Sequence, residues 1–158
     1  MFKTISIFVF VFLVNYGTSY SQSTVSQKPE KNVPIAVSKA FNEKFPVKDP
    51  IWFSSYQGRY DQKLVYEGRF MFDNRYSSAI YDSEGILLAF AAKVEYKEIP
   101  AAAVKYMNEN FPNFRILDSI LVTSKTNDVT YELGIMVDGE YIIKVFSDKG
   151  DFIKSTRA

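Results

Sequence analysis

The sequence predicts an α+β fold: two tandem units, each a helix followed by a four-stranded antiparallel meander, joined into one eight-stranded sheet with both helices on one face. Three observations predict it. The chain beyond residue 32 is written twice; each copy opens on a proline-bracketed apolar stripe; each continues in alternating stretches broken by hairpin-turn residues.

Residues 1–21 read as a secretory signal peptide. Lys3 supplies the positive start, Ile5 to Val14 is the apolar run, and Ser19-Tyr20-Ser21 is a small-x-small site that predicts cleavage before Gln22. A membrane anchor is the rival, but a span needs ~20 apolar residues and this run is about half that. No second run of spanning length follows, so no membrane span is expected in the mature chain. Residues 22–32, rich in Ser and Gln, read as a flexible lead-in.

The duplication defines a first unit at 33–98 and a second at 99–158. VPIAVSKAFNEKFP (Val33 to Pro46) aligns without a gap on IPAAAVKYMNENFP (Ile99 to Pro112), with 7 of 14 positions identical. YEGRFMFDNRYSSAIYDSEG (Tyr66 to Gly85) aligns on YELGIMVDGEYIIKVFSDKG (Tyr131 to Gly150), with 6 of 20 identical. Pro34 and Pro100 suit a helix start and Pro46 and Pro112 a helix stop. Between them Val37, Phe41 and Phe45, and likewise Ala103, Met107 and Phe111, form one apolar stripe per helix.

The first strands of the two units are expected near Ile51 to Gln57 and Arg115 to Lys125. Leu64 to Phe72 and Val129 to Val137 alternate as half-buried strands. Asp138-Gly139 is a two-residue hairpin turn and Asp73-Asn74 its weaker counterpart. Ser83-Glu84-Gly85 and Asp148-Lys149-Gly150 are the next turns, leading to last strands near Ile86 to Val94 and Phe152 to Arg157.

Composition removes several chemistries. The 158 residues hold no Cys and no His, so thiol and imidazole nucleophiles, disulfides and the usual zinc sites are excluded. The 19 basic and 18 acidic residues balance, so no basic footprint for nucleic acid exists. No Ser precedes a Lys by three residues, and no Gly-rich phosphate loop occurs. No catalytic residue, metal site or cofactor is expected.

The sheet has more area than two helices can cover. Eight strands span ~38 Å, and strands of ~17–20 Å make each face ~700 Å². A helix is only ~10–12 Å across. One face is then left without a lid, and a bare apolar face of several hundred Å² marks a contact site. The rival readings are a cap from residues 22–32 or from a second subunit, or harmless scatter. The turn at Asp138-Gly139 puts Met136, Tyr141, Ile143 and Val145 on that face, and Glu67, Arg69, Met71, Tyr76 and Ile80 in the first unit. The candidate partner-binding residues are therefore Glu67, Arg69, Met71, Tyr76, Met136 and Tyr141, joined from the first strand by Trp52 and Tyr56. For Trp52 core filling is the competing role, and for Glu67 and Arg69 a solvated strand surface.

The proline-bracketed helices, the YEGRF and YELGI strands and the YDSEG and FSDKG turns resemble the PepSY-like family, also described as β-lactamase-inhibitor-like. The resemblance covers Val33 to Ala158. Trp52 matches a Trp common after the family's first helix, but Phe53-Ser54-Ser55 replaces the acidic residues usual there. The resemblance implies a small exported protein of a Gram-negative cell envelope. It implies a concave sheet face like that with which β-lactamase inhibitory protein grips an enzyme. The expected function is a non-catalytic exported protein that binds a protein partner, as an inhibitor of a peptidase or another enzyme. The alternatives are a small-ligand or calcium-responsive periplasmic module built around Asp82-Ser83-Glu84-Gly85, and a carboxylate-dependent hydrolase.

Overall fold

The computed structural model describes residues 28–57 and 62–157. The expected signal segment, 1–21, and residues 22–27 of the lead-in lie outside them. The elements run α1 (Ile35–Lys44), β1 (Ile51–Gln57), β2 (Lys63–Phe72), β3 (Arg75–Asp82), β4 (Leu87–Lys93), a 3₁₀ turn (Tyr96–Glu98), α2 (Ala101–Asn110), β5 (Ile116–Ser124), β6 (Val129–Val137), β7 (Glu140–Ser147) and β8 (Phe152–Arg157). All eight strands pair antiparallel in chain order, and β4 against β5 joins the halves. The expected α+β architecture is what the chain adopts.

Each helix starts after its proline, whose missing N–H costs no helical hydrogen bond at that position. The Pro34 carbonyl instead accepts the Ser38 N–H at 3.0 Å. Each ends on a Phe: Phe45 N–H reaches Phe41 O at 2.8 Å and Phe111 N–H reaches Met107 O at 2.9 Å. Val37, Phe41 and Phe45 of α1 bury against Tyr66, Phe70, Ala79 and Tyr81. Phe41 meets the Phe70 ring edge-on at 4.8 Å, a favoured aromatic geometry. Ala103 and Met107 of α2 bury against Leu133, Ile135 and Phe146. The first core is aromatic and the second largely aliphatic, but both lie on one side of the sheet.

The turns explain the sharpness of the meanders. Asp73-Asn74 and Asp138-Gly139 all have positive φ (48°, 58°, 51° and 83°), so both hairpins close with type I′ turns. Gly85 (φ 85°) and Gly150 (φ 89°) press against the helix starts; a Cβ would stand 2.6 Å from Ala36 O and 2.7 Å from Ala103 N. Three register shifts, at Ile80/Tyr81, Ile116/Asp118 and Val145/Phe146, interrupt the otherwise regular ladders.

The end of the lead-in follows the β1 edge. Glu30 N–H donates to Trp52 O at 2.7 Å. Its carboxylate accepts from Ser54 Oγ at 2.9 Å and Asn32 N–H at 2.8 Å, and these bonds hold its pKa below the ordinary carboxylate value.

Candidate binding face

The side of the sheet away from the helices is set by register. Tyr66 and Phe70 face α1, so Val65, Glu67, Arg69 and Met71 face away. Cross-strand pairing carries that parity across the sheet, through Ile80, Ala89, Ala91, Ile120, Val122 and Glu132, to Ile143 and Val145. No described helix stands on this side. Its floor is nonetheless buried: Ala89, Ala91, Ile120 and Val122 form one packed cluster, and Ile143 and Val145 another beside Tyr141. Branched side chains opposite alanines shield them laterally.

Two methionine–tyrosine pairs mark the rim. Met71 lies opposite Tyr76 beside the β2–β3 turn, and Met136 opposite Tyr141 beside the β6–β7 turn. In a two-residue hairpin this second pair from the turn is the closer, non-hydrogen-bonded kind. Met71, Tyr76 and Met136 are exposed large hydrophobics. Tyr141 is half-buried because position 134 is glycine: a Cβ there would lie 2.0 Å from its hydroxyl. Burial, then the nearby carboxylates of Asp118 and Glu132, push the Tyr141 hydroxyl up to about 12.

The charges between the pairs differ from the expected solvated surface. Glu67 is only 8% exposed. Arg69 clasps it through two parallel bonds, Nε to Oε1 at 2.9 Å and Nη2 to Oε2 at 2.8 Å. The guanidinium lies 4.2 Å from the Phe53 ring centre. Glu132, the matching carboxylate of the second half, is 7% exposed. Ile120 and Val145 flank it across the strands. Burial pushes its carboxyl up to about 7, with only the distant Lys154 charge opposing. Asp118 is raised by burial, against the pull of Lys93, whose Nζ is 3.7 Å away. Buried Ser78 Oγ and Thr156 Oγ1, also on this side by register, have no hydrogen-bond partner among the described residues.

Six of the eight sequence-derived candidates share this face: Glu67, Arg69, Met71, Tyr76, Met136 and Tyr141. Trp52 and Tyr56 do not. The β1–β2 register pairs Trp52 with Gly68 and Tyr56 with Leu64, the helix side. Trp52 packs edge-on against Phe41 at 5.3 Å, which is the core role. Tyr56 stays 68% exposed at the strand end. The sequence reading missed Glu132 and Asp118. The signal for Glu132 was its alignment with Glu67 while Gly134 aligns with Arg69.

Other chemistry is sparse. The Asp82 turn spends its carboxylate on itself: Oδ1 accepts the Glu84 N–H at 3.0 Å and the Ile86 N–H at 2.9 Å. Among the described residues no group of three potential metal-ligating His, Cys, Asp or Glu occurs. On the helix side Lys144 Nζ donates to Ser155 Oγ at 2.7 Å and lies 4.1 Å over Phe111. Burial lowers that ammonium's pKa, while the ring beneath favours its charge. An open hollow of about 260 Å³ lies near Phe45, Phe90 and Lys125, smaller than ordinary ligand pockets.

Fold and face together define an α+β protein with one helix-covered side of an eight-stranded antiparallel sheet. No protein-family model matches the chain, and no curated protein matches it. Solved structures do. The chain is similar to a protein of Bacteroides eggerthii provisionally described as periplasmic, at 13% identity and TM-score 0.68 over 80% of this chain and 89% of that one. It is similar to a DUF2874 family protein of Bacteroides uniformis, at 12% identity and TM-score 0.63 over 78% and 88%. It is also similar to a BLIP-like protein of Bacteroides fragilis, at 13% identity and TM-score 0.58 over 83% and 87%. These likenesses show the fold. No helix among the described residues is long and apolar enough to cross a membrane.

Proposed function

We propose that the protein is an exported, non-catalytic binding protein that takes a protein partner on the sheet face away from its helices. An enzyme of the cell envelope, a peptidase among them, is the partner class, and inhibition is the form binding takes. One observation carries this reading: Met71–Tyr76 and Met136–Tyr141 stand at matched positions on a face no described helix covers. Met and Tyr are among the residues enriched at interface cores. The N-terminal segment and the periplasmic description of a structural neighbour support export, and the BLIP-like neighbour supports a sheet face used for gripping a protein. The PepSY-like resemblance and the tandem origin of the two halves belong to the same proposal.

The carboxylate-hydrolase reading has one observation of its own. Glu132, held at about 7, has the acidity of a general acid. Tyr141 covers the neighbouring Gly134 position, so a substrate would have to displace it to reach the carboxyl. A hydrolase screen showing turnover lost in Glu132→Gln would favour it.

The binding reading is tested by capture from a periplasmic extract. Met136→Lys and Tyr141→Lys should each abolish recovery of a discrete partner, with unchanged circular dichroism. Ile35→Lys, on the outer side of α1, should not affect it. Capture that survives both face substitutions refutes the assignment.

A further inference from the structure

The two halves place the same carboxylate on the same face and treat it in opposite ways. Glu67 is neutralised within its own strand by Arg69, two residues on, with Phe53 beneath the guanidinium. Glu132 has Gly134 at the position of Arg69. It is at least as buried as Glu67, with Ile120 and Val145 as its cross-strand neighbours. Among the described residues no hydrogen bond or ion pair reaches it. Lys154 lies beyond Val145 in the same cross-strand row, so it acts on Glu132 only through space. Lys93 is drawn to Asp118.

A buried carboxylate without a partner is costly, and a charged hydrogen-bond donor is what offsets that cost. We propose that Glu132 is one half of an ion pair completed in trans, by an arginine side chain that a partner polypeptide inserts over Gly134. The inference rests on the open-face reading above and adds the chemistry of the partner. Arginine fits better than lysine because its planar fork meets both carboxylate oxygens, as Arg69 does for Glu67. Gly134 lacks the side chain that Arg69 supplies, and the Tyr141 ring holds the space over it, with its hydroxyl and Cζ 2.0 and 2.6 Å from where a Cβ would stand. The Tyr141 hydroxyl covers that position as the far end of a flexible side chain. On swinging aside, its ring offers the guanidinium the stacking surface that Phe53 offers Arg69. The flanking Met136 and Ile143 suit apolar neighbours on the incoming chain.

The probes are an acetylated, amidated Leu-Arg-Leu tripeptide and its twin with neutral citrulline in place of arginine, titrated into ¹⁵N-labelled protein. The arginine peptide should cause saturable amide shifts around Glu132, Gly134 and Tyr141. The citrulline twin should bind about tenfold more weakly or worse. Glu132→Gln should reduce the arginine peptide to the citrulline level. Ionisation of Glu132 by the incoming cation should also release protons at neutral pH, measurable as buffer-dependent binding heat. Equal binding of the twins at these residues overturns the arginine pair and leaves the open-face reading standing. Shifts confined to the helix side overturn both. Absence of saturable binding into the millimolar range overturns the arginine anchor.

Discussion

Replacing Glu132 by Gln should make the protein more stable at neutral and alkaline pH and leave it nearly unchanged in acid. In the folded protein burial holds the Glu132 carboxyl at about 7, against an ordinary 4.5. Between those values the folded state keeps a proton that the unfolded state has released. Stability therefore falls as pH rises through that window, and the full cost is present above it. At ~1.4 kcal/mol per pH unit the gap amounts to about 3 kcal/mol. The side chain is too buried for solvent to screen this away. Asp118, raised by burial, has the same sign, while Glu98 and Glu30, both lowered, lose stability only as pH falls. All three are common to both proteins and cancel in the difference. Urea unfolding from pH 4.5 to 8 reads it: the midpoints should coincide at the acid end and separate by about 1–2 M at the other. A difference that does not vary with pH, or a less stable variant at pH 8, would refute the burial argument.

Arg69→Ala should cost about 3 kcal/mol in urea unfolding, because it strands Glu67 between Phe53 and Ile80; a loss within error would mean the pair is solvent-screened. Gly85→Ala combines a positive φ with a 2.6 Å approach to Ala36 O, so it should lower stability by more than ~1 kcal/mol in thermal unfolding. Phe41→Ala removes the centre of the aromatic core against Phe70, Trp52 and Phe45, and a loss of about 3–5 kcal/mol is expected from chemical denaturation.

Much of the fold is legible in the residues because its devices are local. Alternation in Val129 to Val137 and the Asp138-Gly139 turn set the β6–β7 register, and with it the shared face of Met136 and Tyr141. β1 and β8 fall where the pattern places them, while β4 and β5 are each one residue shorter at both ends than expected. What local pattern does not carry is which way an unpatterned strand turns. IWFSSYQ has bulk on both parities, and only pairing with β2 sends Trp52 toward Phe41. The burial of Glu67 and Glu132 was equally hidden. A charged residue at an alternating strand position reads as solvated until its cross-strand neighbours are known to be Phe53, Ile80, Ile120 and Val145. The open face is therefore less a bare apolar plate than a packed floor with two Met–Tyr rims and one buried carboxylate that no hydrogen bond or ion pair reaches among the described residues.

The central claim is most directly tested by photo-crosslinking in the cell envelope. A benzophenone amino acid at Tyr76 or Met136 should yield a discrete adduct with one protein, and the same group at Ile35, on the far side of α1, should yield none. Adducts from Ile35 with silence at Tyr76 and Met136 would contradict the account, because the partner would then sit on the helices.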